Sequence, residues 1–294
     1  MKKVIITVLI GAALMVGHHL VHANTQLGID VRVSGKGQAM IMIPGLTCDA
    51  AVWDSTIEFL GDGYEYHQIT LPGFAGQAPL ENLEHGFFKQ IKQMVFDYIV
   101  ENQIENPIVM GHSLGGFLAL QMAIEKPGFA DKLVIVDALP FMTAVQMPGI
   151  SAEAAKGFAG NMRSQMQAGA NQTYEQKFAY QKSMLPSLIL DEDNINTAAD
   201  WGAKSDLNTV GQAMYEMYTT DIRNELDQIE EPILVLGAWI AYQDFGSTRD
   251  SVLKYYTDQY IKAKHVKLDL TDKGNHFIMW DDPEFFHKQL ANFL

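Results

Sequence analysis

Short apolar runs alternate with longer amphipathic stretches along most of the chain. The runs are rich in β-branched residues and bounded by Gly, Pro or Asp, which is typical of buried strands. The predicted strands are 29–33, 39–43, 64–70, 107–110, 132–136, 232–236 and 266–270. Helical spacing of apolar positions predicts helices at 51–60, 87–100, 114–125, 248–260 and 283–293. This alternation predicts an α/β fold with a mostly parallel, doubly wound sheet.

Residues 141–223 break the alternation. This stretch contains no strand pattern, is rich in Met and aromatic residues, and is divided into helical segments by Pro and Gly. It falls between the predicted strands 132–136 and 232–236, so we expect a helical cap over the carboxyl ends of the strands, where such sheets bind ligands. The predicted organisation is a core of residues 24–140 and 224–294 with a cap at 141–223. The adaptable Met side chains favour a pocket for apolar groups.

The first 23 residues have the features of a secretory signal peptide. Lys2 and Lys3 precede an apolar stretch, and Val21 and Ala23 stand where signal peptidase reads small or modest side chains. Cleavage is predicted after Ala23, which implies a periplasmic or secreted protein. The apolar stretch is short for a membrane span; an uncleaved anchor and a buried first helix are the alternatives. Cleavage would also remove three histidines that could suggest a metal site.

The net charge limits which partners the protein can bind, and the cysteine content limits its covalent cross-links. The 294 residues carry a formal net charge of −14, and removing Lys2 and Lys3 with the leader changes this to −16. Such an acidic protein is not expected to bind nucleic acid or anionic lipid, and no stable membrane association is expected after cleavage. Cys48 is the single cysteine. An internal disulfide is therefore excluded, even for an oxidising compartment.

The sequence Gly-His-Ser-Leu-Gly-Gly at 111–116 is the strongest chemical signal. It follows a predicted strand and precedes a predicted helix, which is the context of a nucleophile elbow. Gly111 and Gly115 leave room around Ser113 at the apex of a tight turn. The amide of Leu114, at the start of the helix, is a natural donor to an oxyanion. Ser113 is therefore the predicted nucleophile.

A serine hydroxyl needs a base, and histidine has a suitable pKa. His276 lies in a loop just after the final predicted strand, where its ring could reach Ser113. The other histidines outside the leader lie in predicted strands or helices, in a helix lead-in, or in the elbow, pointing below its turn: His67, His85, His112, His265 and His287. His276 is the predicted base.

These motifs resemble those of the capped α/β-hydrolase superfamily, and the resemblance covers the chain after the leader. Beyond the elbow it rests on Ile-Pro-Gly-Leu at 43–46, Leu-Pro-Gly-Phe-Ala-Gly at 71–76 and Gly-Asn-His-Phe at 274–277. It implies that the backbone N–H of Leu46 is the second oxyanion donor. The family commonly has His-Gly where this chain has Pro44-Gly45. Since the donor is a backbone group, this change leaves it in place.

The carboxylate that orients the histidine base is the part of the site that departs from the family pattern. Many members have it about three residues after the glycine that ends the seventh strand, but Gly237 is followed by Ala-Trp-Ile-Ala. Asp137 directly follows the predicted strand 132–136, which is the sixth strand in the family's numbering, and stands at the substitute position that some members use. Asp244, in a loop that is long for the family, is the alternative acid. Either could instead have a local role, in a turn or as a solvated charge.

The resemblance implies a serine hydrolase of small carboxylic esters or lactones with an apolar acyl part, acting without metal or organic cofactor. Perhydrolase, acyltransferase and carbon–carbon hydrolase chemistry in the same superfamily use the same residues and stay open as alternatives. Dehalogenases and epoxide hydrolases have an Asp nucleophile where this chain has Ser113. From another class, a binding protein with a silent site also stays open.

Overall fold

A computed structural model describes residues 21–23 and 28–294 of the chain. Its strands form one sheet in the order β1-β2-β4-β3-β5-β6-β7-β8. Strand β2 is antiparallel to β1 and β4, and the other neighbouring pairs are parallel. The strands are β1 (Val21–Ala23), β2 (Asp30–Gly35), β3 (Gly37–Ile43), β4 (Gly63–Thr70), β5 (Ile108–His112), β6 (Lys132–Val136), β7 (Ile233–Ala238) and β8 (Val266–Thr271). The predicted mostly parallel sheet is confirmed.

Helices cover both faces of the sheet, as a doubly wound fold requires. They are α1 (Asp54–Leu60), α2 (Phe87–Glu101), α3 (Leu114–Glu125), α4 (Thr143–Gln146), α5 (Ala152–Ala168), α6 (Tyr174–Met184), α7 (Glu192–Lys204), α8 (Leu207–Thr219), α9 (Arg249–Gln259), α10 (Ile278–Asp281) and α11 (Pro283–Ala291). The described residues contain no helix both long and apolar enough to cross a bilayer.

Alternate side chains of the central strands enter two separate cores. In β3, Met40 and Met42 pack into one core, while Ile41 and Ile43 pack into the other. All four are fully buried. This explains why the strands read as continuous apolar runs: both faces of a parallel sheet are covered by helices.

The order of the strands reverses at β3, because β4 pairs on one side of it and β5 on the other. In open α/β sheets a crevice forms at such a reversal, beyond the carboxyl ends of the strands. The turn after β3 carries Leu46 and the turn after β5 carries Ser113. The fold therefore brings these two predicted site residues to the crevice.

Helices α4 to α8 are inserted between β6 and β7. Glu216 of α8 ties this insertion to the core, since its carboxylate accepts the backbone N–H groups of Phe87 (2.7 Å) and Phe88 (3.0 Å) at the start of α2. Gly86, before α2, has no side chain to cap that helix. A negative charge at a helix N-terminus is stabilising. The insertion thus supplies the missing cap of a core helix.

The predicted leader falls mostly outside the described residues. Its last three residues form β1, which pairs with β2 at the edge of the sheet. Cys48 is 2% exposed, and burial raises the pKa of its thiol to about 12. The cysteine is therefore an unreactive core side chain at neutral pH.

Candidate active site

Ser113 sits in a strained turn between β5 and α3. Its φ of 52° and ψ of −118° lie in a region that L-residues rarely adopt. Its N–H donates to the carbonyl of Val136 at 2.8 Å, and its carbonyl accepts from the N–H of Phe117 at 3.0 Å. Strain of this kind costs on the order of 1–3 kcal/mol and concentrates at functional sites. The turn is the elbow geometry that the motif predicts.

Two glycines make this turn possible. A Cβ on Gly111 would lie 2.3 Å from the carbonyl oxygen of Gly115. A Cβ on Gly115 would lie 2.3 Å from the carbonyl oxygen of Ile43. Both distances are too short for real atoms, so the helix and the end of β3 approach only because these side chains are absent.

Two backbone turns lie close to the serine. Leu114 is the first residue of α3, so its N–H has no acceptor within the helix. Leu46 follows Gly45, whose backbone runs so close that an added Cβ would lie 3.3 Å from the Cβ of Ser113. The next residue, Thr47, has a positive φ of 64°. The amides of Leu46 and Leu114 thus belong to the two turns that flank Ser113.

Asp137 directly follows β6 and has a positive φ of 47°. Its N–H donates to the carbonyl of Leu236 at 2.7 Å. The carboxylate is almost wholly buried, with its side chain 7% exposed. One oxygen, Oδ2, lies 2.5 Å from Nδ1 of His276. The structure therefore brings together an acid and an imidazole that are 139 positions apart.

The contact with Asp137 decides which nitrogen of His276 carries the proton. A carboxylate only accepts hydrogen bonds, so Nδ1 must donate. In the neutral ring this leaves the lone pair on Nε2, the atom that can take a proton from a hydroxyl. The side chain is 17% exposed, so the ring is reachable from solvent.

His112, the neighbour of Ser113, lies against His276. Its Nε2 donates to the backbone carbonyl of His276 at 3.0 Å, and the two ring centroids are 4.7 Å apart. Burial, with the nearby His276, holds the pKa of His112 well below its usual range. The ring is therefore neutral at pH 7. Through this hydrogen bond, His112, which is next to Ser113 in the chain, helps to fix the position of His276.

The loop that carries His276 is also held from the inserted helices. Asp281 accepts the N–H of Asn275 through one oxygen and the N–H of Leu190 through the other, both at 3.0 Å. Burial raises the pKa of Asp281. The N–H of Phe277 donates to the carbonyl of Leu188 at 3.3 Å. The loop and the segment before α7 are thus joined by shared hydrogen bonds.

The alternative acid, Asp244, belongs to a 3₁₀ turn at Ile240–Phe245. Its side chain lies outside the described part of the structure. An orienting acid would accept a hydrogen bond from Nδ1 of His276. This nitrogen already has Asp137 as its partner. The geometry therefore favours Asp137, and the role of either carboxylate stays a prediction.

Sequence reasoning missed two contributors to this arrangement, His112 and Tyr256. The hydroxyl of Tyr256, on α9, donates to Oδ1 of Asp137 at 2.5 Å. One sequence signal was available: Tyr256 and Tyr260 are four residues apart and share a helix face. Nothing in the spacing says that this face meets Asp137.

A cavity of about 310 Å³ lies within the insertion, and its lining residues fall between 165 and 207. It includes none of the residues around Ser113, so the predicted apolar acyl pocket stays a prediction. Among the side chains that the structure describes, no group of three or more His, Cys, Asp or Glu residues is arranged to hold a metal ion.

Known proteins resemble this chain in sequence and in fold. A profile of the Alpha/beta hydrolase family matches residues 40–289. A pimeloyl-[acyl-carrier protein] methyl ester esterase from Vibrio cholerae is 26% identical over 264 residues, covering 89% of this chain and 96% of that protein. An esterase from Exiguobacterium antarcticum superposes with a TM-score of 0.72 at 16% identity, covering 90% of this chain and 94% of the esterase. An enol-lactonase from Burkholderia xenovorans gives 0.70 at 15% identity, covering 90% and 96%.

Proposed function

The chain belongs to the Alpha/beta hydrolase family, and we propose that it is a serine hydrolase that cleaves carboxylic esters or lactones through an acyl-enzyme on Ser113. The observation that carries the proposal is the hydrogen bond between His276 and Asp137, beside the strained turn of Ser113. An imidazole with a buried carboxylate partner is the usual base for a serine nucleophile. The esterase similar in sequence supports the ester bond as the target.

In the proposed first half-reaction, Oγ of Ser113 attacks the acyl carbon while Nε2 of His276 takes its proton. Asp137 keeps the ring in the required tautomer and stabilises the imidazolium that forms. His276 then gives the proton to the departing alcohol, which leaves the acyl group on Ser113. In the second half, water attacks the acyl carbon while Nε2 of His276 takes a proton from it. The bond between the acyl carbon and Oγ of Ser113 then breaks, His276 returns the proton to Oγ, and the carboxylic acid product leaves.

The negative charge that develops on the substrate oxygen needs donors already in place. The backbone N–H groups of Leu46 and Leu114 are proposed as these donors. A preorganised donor of this kind contributes on the order of 10²- to 10³-fold to turnover. All the proposed steps use water and groups of this chain.

A substrate panel tests the function. It contains p-nitrophenyl esters of increasing acyl length, lactones, a carrier-protein-linked methyl ester, and an assay for peracid formation, each run on wild type and Ser113→Ala. We expect hydrolysis of free esters or lactones that needs Ser113, with preference for an apolar acyl part. Peracid formation in the absence of ester hydrolysis would reject the proposal in favour of that chemistry. A protein that turns over nothing and resists fluorophosphonate would be a silent binding protein.

We also propose that residues 1–23 are a leader removed after Ala23, and that the mature enzyme acts in the periplasm or outside the cell. The support is the basic start, the apolar stretch and the modest residues before position 24. Expression of the full chain in a bacterial host with fractionation tests this. We expect an exported product with the mass of a chain that starts at Asn24. An intact chain that stays in the cytoplasm would contradict the proposal.

A further inference from the structure

The carboxylate of Asp137 is enclosed on the side opposite His276. Its Oδ1 accepts the backbone N–H of Ala238 at 2.9 Å and the hydroxyl of Tyr256 at 2.5 Å. Its Oδ2 faces Nδ1 of His276. Each oxygen thus has a separate task, because Oδ1 is held by the end of β7 and by α9 while Oδ2 meets the imidazole.

The place of Tyr256 is built into the sheet. Gly237, in β7, lies under its ring, and a Cβ there would come within 2.7 Å of the Cζ atom of Tyr256. Burial, followed by the charge of Asp137, raises the pKa of Tyr256 well above its usual range. The hydroxyl therefore keeps its proton and remains a donor throughout the neutral and mildly alkaline range.

We propose that Tyr256 is a positioning residue for the reaction, because its buried hydroxyl locks Asp137 in the rotamer that directs Oδ2 at His276. The inference rests on the proposed function and names a part of the machinery that the motifs do not contain. A hydrogen bond to a charged group is stronger than one between neutral groups. Tyr256 also offsets the burial of the carboxylate, which would otherwise lose solvation without compensation.

Removing this hydroxyl has a predictable electrostatic consequence. With one donor fewer, the negative charge of the carboxylate is less stabilised by hydrogen bonding. The carboxylate therefore stabilises the positive charge of a protonated His276 ring more strongly. The protonated ring, which cannot act as a base, then persists to higher pH. The acid limb of kcat/KM therefore moves upward. Among the described residues, the other titratable groups close enough to act on the pair are Tyr242 and Tyr260 for Asp137, and His112 and Asp281 for His276, and they are unchanged in the variant.

Tyr260, the residue that directly follows α9, supplies a matched control. It is also buried, at 1% exposure, and its hydroxyl donates to the carbonyl of Ala138 at 2.8 Å rather than to the carboxylate. Tyr256→Phe and Tyr260→Phe each remove one buried hydroxyl and keep the ring. A general effect of loosening α9 would appear in both variants, whereas an effect through Asp137 would appear only in the first.

The experiment measures kcat and KM across pH for wild type and both variants, with a ¹H NMR spectrum of the low-field Nδ1 proton of His276. For Tyr256→Phe we expect kcat to fall about 10-fold with KM within about 2-fold, the acid limb to move to higher pH, and the Nδ1 resonance to shift. For Tyr260→Phe we expect the wild-type profile and resonance. Thermal melts show that both variants fold.

A Tyr256→Phe protein with the wild-type profile and resonance would overturn the inference, and so would equal changes in both variants. Ser113→Ala, measured in parallel, separates this failure from that of the proposed function. If Ser113→Ala abolishes turnover while Tyr256→Phe is indistinguishable from wild type, only the role of Tyr256 is wrong. If Ser113→Ala retains turnover, the proposed function itself fails.

Discussion

Ser113→Ala is expected to lower turnover of the best ester substrate by about 10³- to 10⁶-fold, the range typical of lost serine nucleophiles. The reason is that no other described hydroxyl occupies the strained turn between β5 and α3. The free energy of unfolding should change by less than about 1 kcal/mol, since serine and alanine meet the same backbone strain. Steady-state kinetics and urea unfolding measure the two quantities.

A fluorophosphonate probe gives an independent readout of the same residue. Wild type should gain one covalent label, found by peptide mass spectrometry on Ser113, and Ser113→Ala should gain none. Ser183→Ala is a suitable control, because Ser183 is exposed on α6 and donates only to the carbonyl of Tyr180 among the bonds described. A labelled Ser113→Ala protein with most of its turnover would show that the elbow has been misinterpreted.

Asp137→Asn should have the second largest effect, a loss of about 10²- to 10⁴-fold in kcat. The asparagine amide cannot serve all three partners of the carboxylate. If its oxygen faces His276, its NH₂ opposes the N–H of Ala238, and if it is turned over, the NH₂ opposes Nδ1. The second orientation also favours the wrong tautomer of the imidazole. Measurement of kcat for Asp137→Asn and Asp244→Asn compares the two candidate acids directly.

We expect Asp244→Asn to retain kcat within about 2-fold, as for a solvated loop charge. A larger loss from Asp244→Asn than from Asp137→Asn would exchange the two assignments. Equal and mild losses from both variants would reject both, and His276 would then act without an orienting carboxylate. Thermal melts are needed for Asp137→Asn, because a buried group loses a hydrogen-bonding partner in this variant.

Elements whose signals are local agree closely with prediction. The predicted strand 132–136 is observed at those residues, and α3 spans the predicted 114–125. The helix predicted at 283–293 is observed as α11, and the carboxylate of Asp282 accepts the N–H of Phe285 at its start. The helix predicted at 51–60 begins instead with a 3₁₀ turn at Ala50–Trp53, because Asp49 caps the chain there through the N–H of Ala51. Periodicity and caps depend on residues that are neighbours in the chain, so they can be predicted from the sequence.

Local sequence patterns do not identify which side chains contact one another in the candidate site. Two carboxylates satisfied the sequence criteria for orienting His276: the family resemblance put Asp137 first, and spacing alone did not exclude Asp244. In the fold, β7 lies between β6 and β8, and Asp137 at the end of β6 meets the imidazole that the loop after β8 carries. The bonds from Tyr256 to Asp137 and from His112 to His276 join residues 119 and 164 positions apart.

By itself, therefore, the sequence determined the α/β architecture, the strained turn of Ser113 and the loop that carries His276. Each depends on steric and hydrophobic preferences expressed within a few residues. Only the tertiary structure decided which carboxylate faces the imidazole and which hydroxyl holds that carboxylate. Those pairings follow from the order and register of the strands, because packing brings distant segments to one edge of the sheet.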